Sequence, residues 1–164
     1  MRRLAHYDFW SDRIRKSILF NAKGDYLVYG MGERTVLELA RRLQEDRDPR
    51  DLPGLCYIAK TPPAGHLVLP SYDEVVHSKD AFTSMFSTFY REQDPVRGKG
   101  LDQLQDNRWL VHNPPAQPLS QAEFDAVSEL GYTRDVHPWY RSQGAARAQD
   151  TIRFSLPALR GCYG

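Results

Sequence analysis

Thiolates are the ordinary ligands of iron–sulfur clusters, so the two cysteines, Cys56 and Cys162, are the first residues to weigh. Cys162 follows an alternating segment, Thr151-Ile152-Arg153-Phe154-Ser155-Leu156, and sits between Gly161 and Gly164. Glycines relax the backbone, and a loop after a strand is where a sulfur can converge with others on iron. Taken alone, a cysteine in such a place is ordinarily an inert thiol. Cys56 lies inside the apolar run Leu55 to Ala59 and reads as a small buried hydrophobe. Two cysteines make no disulfide framework. The five histidines, His6, His66, His77, His112 and His137, share neither an i,i+4 spacing nor a Cys-x-x-Cys partner, so surface or structural roles are expected rather than a zinc site.

A second chemical candidate is Gly30-Met31-Gly32-Glu33, where glycines permit a tight turn and a following helix presents free N–H groups to an anion. It lacks the third glycine of a dinucleotide fingerprint, and a ligand-free βα turn is the plainer reading. An alternative function rests on it all the same: a stand-alone α/β nucleotide- or phosphate-binding module. A third reading, an RNA-binding adaptor, draws on Arg13, Arg15 and Lys16 beside Phe9 and Trp10, although basic residues at that spacing are ordinarily a solvated helix face.

The elements that must position these residues alternate. From Trp10, the residues Ile14, Ile18 and Ala22 recur at every fourth position and predict an amphipathic helix starting near Ser11. The β-prone run Asp25 to Tyr29 predicts a central strand, covered on both faces. A helix starting near Glu33 then carries Val36, Leu39, Ala40 and Leu43 on one face, with Glu38 and Arg42 paired toward solvent. Asp46 to Pro53, with five charged residues and two prolines, breaks it. Strands are expected at Leu55 to Ala59, Leu67 to Leu69 and Trp109 to Val111, the last ended by Asn113-Pro114-Pro115. Between them Ser71 or Asp73 caps a helix whose stripe Phe82, Met85, Phe86, Phe89 packs into the core. Ser120 with Glu123 resembles a capping box for a helix running to about Leu130, and Thr151 to Leu156 reads as a last strand.

Bulk properties narrow the class. The chain has 164 residues with 41% hydrophobic and 26% charged, the proportions of one ordinary globular unit. Its net charge of +1 provides no global basic field, so nucleic acid is not expected as a partner. No apolar stretch approaches a bilayer span, so no membrane role and a cytoplasmic location are expected.

The phrase Thr151-Ile152-Arg153-Phe154-Ser155 leading to Arg160-Gly161-Cys162-Tyr163-Gly164 resembles the start of the catalytic core in YgiQ-type radical S-adenosylmethionine (SAM) proteins. The likeness extends back through Tyr7-Asp8-Phe9-Trp10-Ser11-Asp12, Tyr29-Gly30-Met31-Gly32-Glu33-Arg34, Leu69-Pro70-Ser71, Asn113-Pro114-Pro115-Ala116, Tyr132-Thr133-Arg134 and His137-Pro138, in the family's order. The resemblance implies a radical SAM N-terminal-type domain over residues 1–150, incomplete at its start. Residues 151–164 would begin the radical SAM core, truncated after its first cluster cysteine. The implied fold is α/β: a Rossmann-like or cobalamin-binding-like partial sheet with flanking helices, ending at the first strand of a truncated radical SAM barrel. Cobalamin itself is not expected, because its Asp-x-His-x-x-Gly ligand motif is absent.

The same resemblance implies an iron–sulfur enzyme of unspecified substrate, small or macromolecular. In the full-length parent, Cys162 would be the first metal ligand of a Cys-x3-Cys-x2-Cys motif holding a [4Fe-4S] cluster that binds SAM. Only that one thiol of the motif lies in this chain, so the chain alone is expected to bind no cluster, to be inactive, and to be only marginally stable for want of barrel strands beside 151–156. Catalytic and cofactor-binding residues are not assigned by the resemblance.

Overall fold

A computed structural model describes residues 2–133, 135–144, 146 and 148–153. The chain divides into two compact units, Met1–Ser120 and Gln121–Gly164. In the first, β1 (His6–Asp8) and β2 (Arg13–Arg15) form a two-stranded antiparallel sheet, and a short helix α1 (Ile18–Ala22) follows. The other strands are β3 (Tyr26–Val28), β4 (Leu55–Ala59), β5 (Leu67–Val68), β6 (Leu101–Gln105) and β7 (Arg108–His112), joined in the order β3-β4-β7-β6-β5. Helices α2 (Glu33–Gln44), α3 (Tyr72–His77) and α4 (Lys79–Arg91) complete this unit. The second unit contains α5 (Gln121–Ser128), a 3-10 helix over Pro138–Gln143 and α6 (Gln149–Ile152).

The α/β class with a partial sheet and flanking helices is what the chain adopts. Within it the β3–β4, β4–β7 and β6–β7 pairs are antiparallel and only β5–β6 is parallel, which is not the parallel pairing of a Rossmann-like sheet. The β6–β7 hairpin turns at Asp106-Asn107, a tight link that antiparallel neighbours allow and parallel ones do not.

Several expectations change. The period-four pattern after Trp10 does not make a helix there: Arg13–Arg15 pair with Asp8 to His6, and Ser11 and Arg15 both donate hydrogen bonds to the Asp8 carboxylate, at 2.6 and 2.9 Å. The helix waits for Ser17, whose hydroxyl accepts from the Leu19 amide. The strand at 26–28 is an edge, not the centre, of its sheet, with Leu27 and Val28 half-buried. The centre belongs to β4, β7 and β6. Finally, Thr151 and Ile152 lie in α6 rather than in a strand, so they present no unpaired strand edge, while 154–164 lie outside the described residues.

Two apolar clusters occupy the two faces of the larger sheet. Cys56, Leu101 and Leu110 meet Leu19, Val75 and Met85 on one side, and Leu55, Tyr57 and Val111 meet Leu52 and Leu39 on the other. The α4 stripe packs as expected at Phe82, Met85 and Phe89, but Phe86 is 47% exposed. Ser71 caps α3 with a complete capping box, and Ser78 interrupts the expected single helix and caps α4.

Helix α2 is rotated from its expected setting: Val36 and Leu43 are half exposed, and only Leu39 of the stripe packs on the core. Polar bonds set this rotation. The Thr35 hydroxyl donates to the Pro53 carbonyl at 2.9 Å, while Arg42 donates to Glu38 at 3.0 Å and reaches the Asp48 carbonyl and the Asp51 carboxylate. The charged 46–53 segment therefore draws the polar side of the helix inward.

Candidate functional site

Among the described residues, one cluster combines buried polar chemistry with open space. Residues ahead of β1 carry Arg3, whose guanidinium carbon lies 4.2 Å from the ring centroid of Tyr29 and 4.8 Å from that of Phe89. Such stacking holds a guanidinium by about 0.5–2 kcal/mol as it leaves water. Tyr29 directly follows β3, and its ring stacks on His112, the last residue of β7, at 4.4 Å. The Tyr29 hydroxyl donates to the Asn113 carbonyl at 2.5 Å. Phe89, from α4, meets His112 edge-on at 5.9 Å.

Asn113 in turn anchors the connection after α2, its amide donating to the carbonyls of Arg50 and Leu52 at 2.8 and 2.7 Å. Thus the first residue of Asn113-Pro114-Pro115, expected only to stop a strand, also joins β7 to the 46–53 segment.

Burial governs the titration of this cluster. It lowers the Arg3 pKa, against the neighbouring Tyr29 and Cys56, and raises that of Tyr29. Cys56 lies opposite His112 across the β4–β7 pair and is pushed up to about 12 by burial, with the Arg3 cation opposing. His112 is lowered to about 3, first by burial and then by the Arg3 charge. At neutral pH the cluster holds a neutral phenol, thiol and imidazole around one cation. Beside it, a cavity of about 660 Å3 is bounded by Arg2, Arg3, Tyr29, Gln93, the Gly30-Met31 turn and apolar residues that include Leu27 and Pro115.

Sequence reasoning singled out the Gly30 turn but not Arg3 or Gln93. Arg3 stands in an unpatterned segment, and its two aromatic partners come from distant positions, so no local spacing reveals it. A second polar group is His66 with Asp102: their Nδ1 and Oδ1 atoms are 3.0 Å apart, and Asp102 is fully buried. A Cβ at Gly100 would lie 2.2 Å from His66 Nε2, so a side chain there would have to displace the imidazole.

The sequence-predicted metal ligand, Cys162, lies outside the described residues. Among the described residues there is no group of three or more His, Cys, Asp or Glu side chains able to hold a metal. Cys56 does not fit a cluster, since its thiol is enclosed in the core and strongly held protonated. The described residues thus provide no donor set for iron. No helix among the described residues is long and apolar enough to cross a membrane.

Comparison with known proteins fixes the lineage. The family model described as Radical SAM N-terminal matches residues 1–155. UPF0313 protein FN0734 of Fusobacterium nucleatum is 46% identical over 164 residues, covering all of this chain and 29% of the relative. A UPF0313 protein of Thermotoga petrophila is 41% identical over 167 residues, and UPF0313 protein CPE1196 of Clostridium perfringens 42% over 170, again covering all of this chain but 30% and 26% of the relatives. The chain therefore spans less than a third of the length of these relatives. No solved structure matches it significantly. With a family model matching nearly from end to end and YgiQ-like UPF0313 relatives aligned along every residue, the chain belongs to the radical SAM N-terminal family.

Proposed function

We propose that this chain is the amino-terminal part of a radical SAM [4Fe-4S] enzyme, acting in the cytoplasm on a substrate still to be identified. The observation that carries the reading is the family match through residue 155, just ahead of Arg160-Gly161-Cys162. Cys162 is the proposed first thiolate of the cluster, with two further cysteines supplied by a longer chain. A bound [4Fe-4S] cluster supplies the electron and the open iron site for reductive cleavage of SAM. The first unit offers a sheet with a cavity beside it, and Cys56, held protonated by burial, introduces no redox-active thiolate into the core. A stand-alone nucleotide-binding module is not favoured, because the family accounts for the whole pattern that includes the Gly30 turn.

The test is SAM cleavage by a longer protein containing this chain and the next two cysteines. After anaerobic reconstitution and dithionite reduction, 5′-deoxyadenosine should accumulate above the level given by an apoprotein control. No 5′-deoxyadenosine from protein carrying a full complement of iron and sulfide would contradict the reading.

A further inference from the structure

We propose that the cavity beside Arg3 is a binding site for a small organic acid, an apolar body bearing one carboxylate, with the Arg3 guanidinium as its anion partner. Three observations lead there. First, Arg3 is a half-buried cation that meets the rings of Tyr29 and Phe89 and the Gln93 amide, and no carboxylate among the described residues forms an ion pair with it. Removing a guanidinium from water without a counter-ion is unfavourable, and charged groups so placed are normally paired.

Second, the guanidinium is held ready. It is stacked on Tyr29 and Phe89, and its Nη2 donates to Gln93 Oε1 at 2.6 Å. Gln93 is itself fixed, since its Nε2 donates to the Phe89 carbonyl at 2.8 Å. One donor of the fork is thus used for positioning, and others are left for a planar anion. A side chain ordered in advance forfeits little entropy when its ligand arrives.

Third, the space suits such a ligand. A volume of about 660 Å3 falls inside the ~300–1,000 Å3 range of small-molecule sites, and the walls at Ile18, Leu27, Met31 and Pro95 are apolar. One half-buried cation beside apolar walls matches a singly charged carboxylate. A phosphate dianion would find only the exposed Arg2 as a second cation at the cavity.

The test titrates the 164-residue chain at low salt with 4-phenylbutyrate, its neutral amide 4-phenylbutyramide, phenyl phosphate and inorganic phosphate, by calorimetry and by 1H–15N spectra. The carboxylate should bind one to one and at least tenfold more tightly than the amide. Amide shifts should centre on Tyr29, Gly30, Met31 and Gln93. Arg3→Gln should abolish the preference for acid over amide, whereas Lys60→Gln, at an exposed position that does not line the cavity, should leave it unchanged. The shift map needs no variant, so the proposal stays testable if Arg3→Gln fails to fold. Equal binding of acid and amide, tighter binding of either phosphate, or shifts centred elsewhere would overturn it. Cluster assembly on Cys162 plays no part in this titration, so its failure leaves the iron–sulfur reading standing.

Discussion

Cys56 and His112 occupy paired positions on adjacent central strands, both fully buried, and both are held neutral by the same dry surroundings. For Cys56, a pKa near 12 leaves on the order of one thiolate in ten thousand at pH 8. In a Cys162→Ser chain, native protein should give no reaction with Ellman's reagent at pH 8 over an hour, and one equivalent in guanidinium chloride. A full equivalent from native protein would show that the β4 thiol is reachable. For His112, the folded pKa of about 3 lies below the ordinary value near 6.5, so between those pH values the unfolded chain takes up a proton that the folded chain refuses. Its contribution to stability is complete above about pH 6.5 and is lost as pH falls toward 3. Urea unfolding should show roughly 2 kcal/mol of His112-dependent loss between pH 7 and pH 5, absent in His112→Gln. An identical pH slope in both proteins would contradict this. The burial of Cys56 was legible in the sequence because it sits in an apolar run. The role of His112 was not, since its environment is assembled from Arg3, Tyr29 and Phe89, which local periodicity cannot bring together.

Strand β6 shows why some elements escape sequence reading. Its residues Leu101-Asp102-Gln103-Leu104-Gln105 look amphipathic, yet Asp102, Gln103 and Gln105 are fully buried. The two glutamines are satisfied by backbone groups distant in sequence. Gln103 Oε1 accepts from the Ala5 amide at 2.9 Å and Gln105 Oε1 from the Ser17 amide at 3.0 Å, while Gln105 Nε2 donates to Gln103 Oε1 at 2.9 Å. Gln103 Nε2 also donates to the Pro70 carbonyl at 2.9 Å. These bonds tie the segment bearing Arg3, and the start of α1, onto the sheet. Gln103→Leu removes three of these four bonds and takes the partner from the Ala5 N–H, the Gln105 side-chain amide and the Pro70 carbonyl, which should cost about 2–4 kcal/mol in denaturant unfolding. Amide exchange at Ala5 should rise with it. A change below about 0.5 kcal/mol with Ala5 still protected would show that the network is dispensable. By contrast, β4, β7 and α2 were legible to within a few residues, because an apolar run or a capped periodic stretch is a local property. The setting of α2 was not, since hydrogen bonds to the 46–53 segment decided which side faces inward.

At the scale of the whole molecule, both sheets and both apolar clusters lie in the unit Met1–Ser120. A chain of residues 1–120 should therefore fold alone, with a cooperative unfolding midpoint within a few degrees of that of the 164-residue chain and an overlapping 1H–15N spectrum. A non-cooperative transition or collapsed spectral dispersion would show that the second unit is needed. The α/β class and family order could be read from sequence, whereas the antiparallel pairing could not, because the β6–β7 hairpin was hidden by its polar residues. The proposed role of Cys162 as the first thiolate of a cluster is tested most directly by removing that thiol. In a longer chain that includes the next two cysteines, reconstituted anaerobically, about four irons per protein and the brown ~400 nm absorbance of a [4Fe-4S] centre should appear, and both should be lost in Cys162→Ala. An undiminished iron count and absorbance in Cys162→Ala would contradict it.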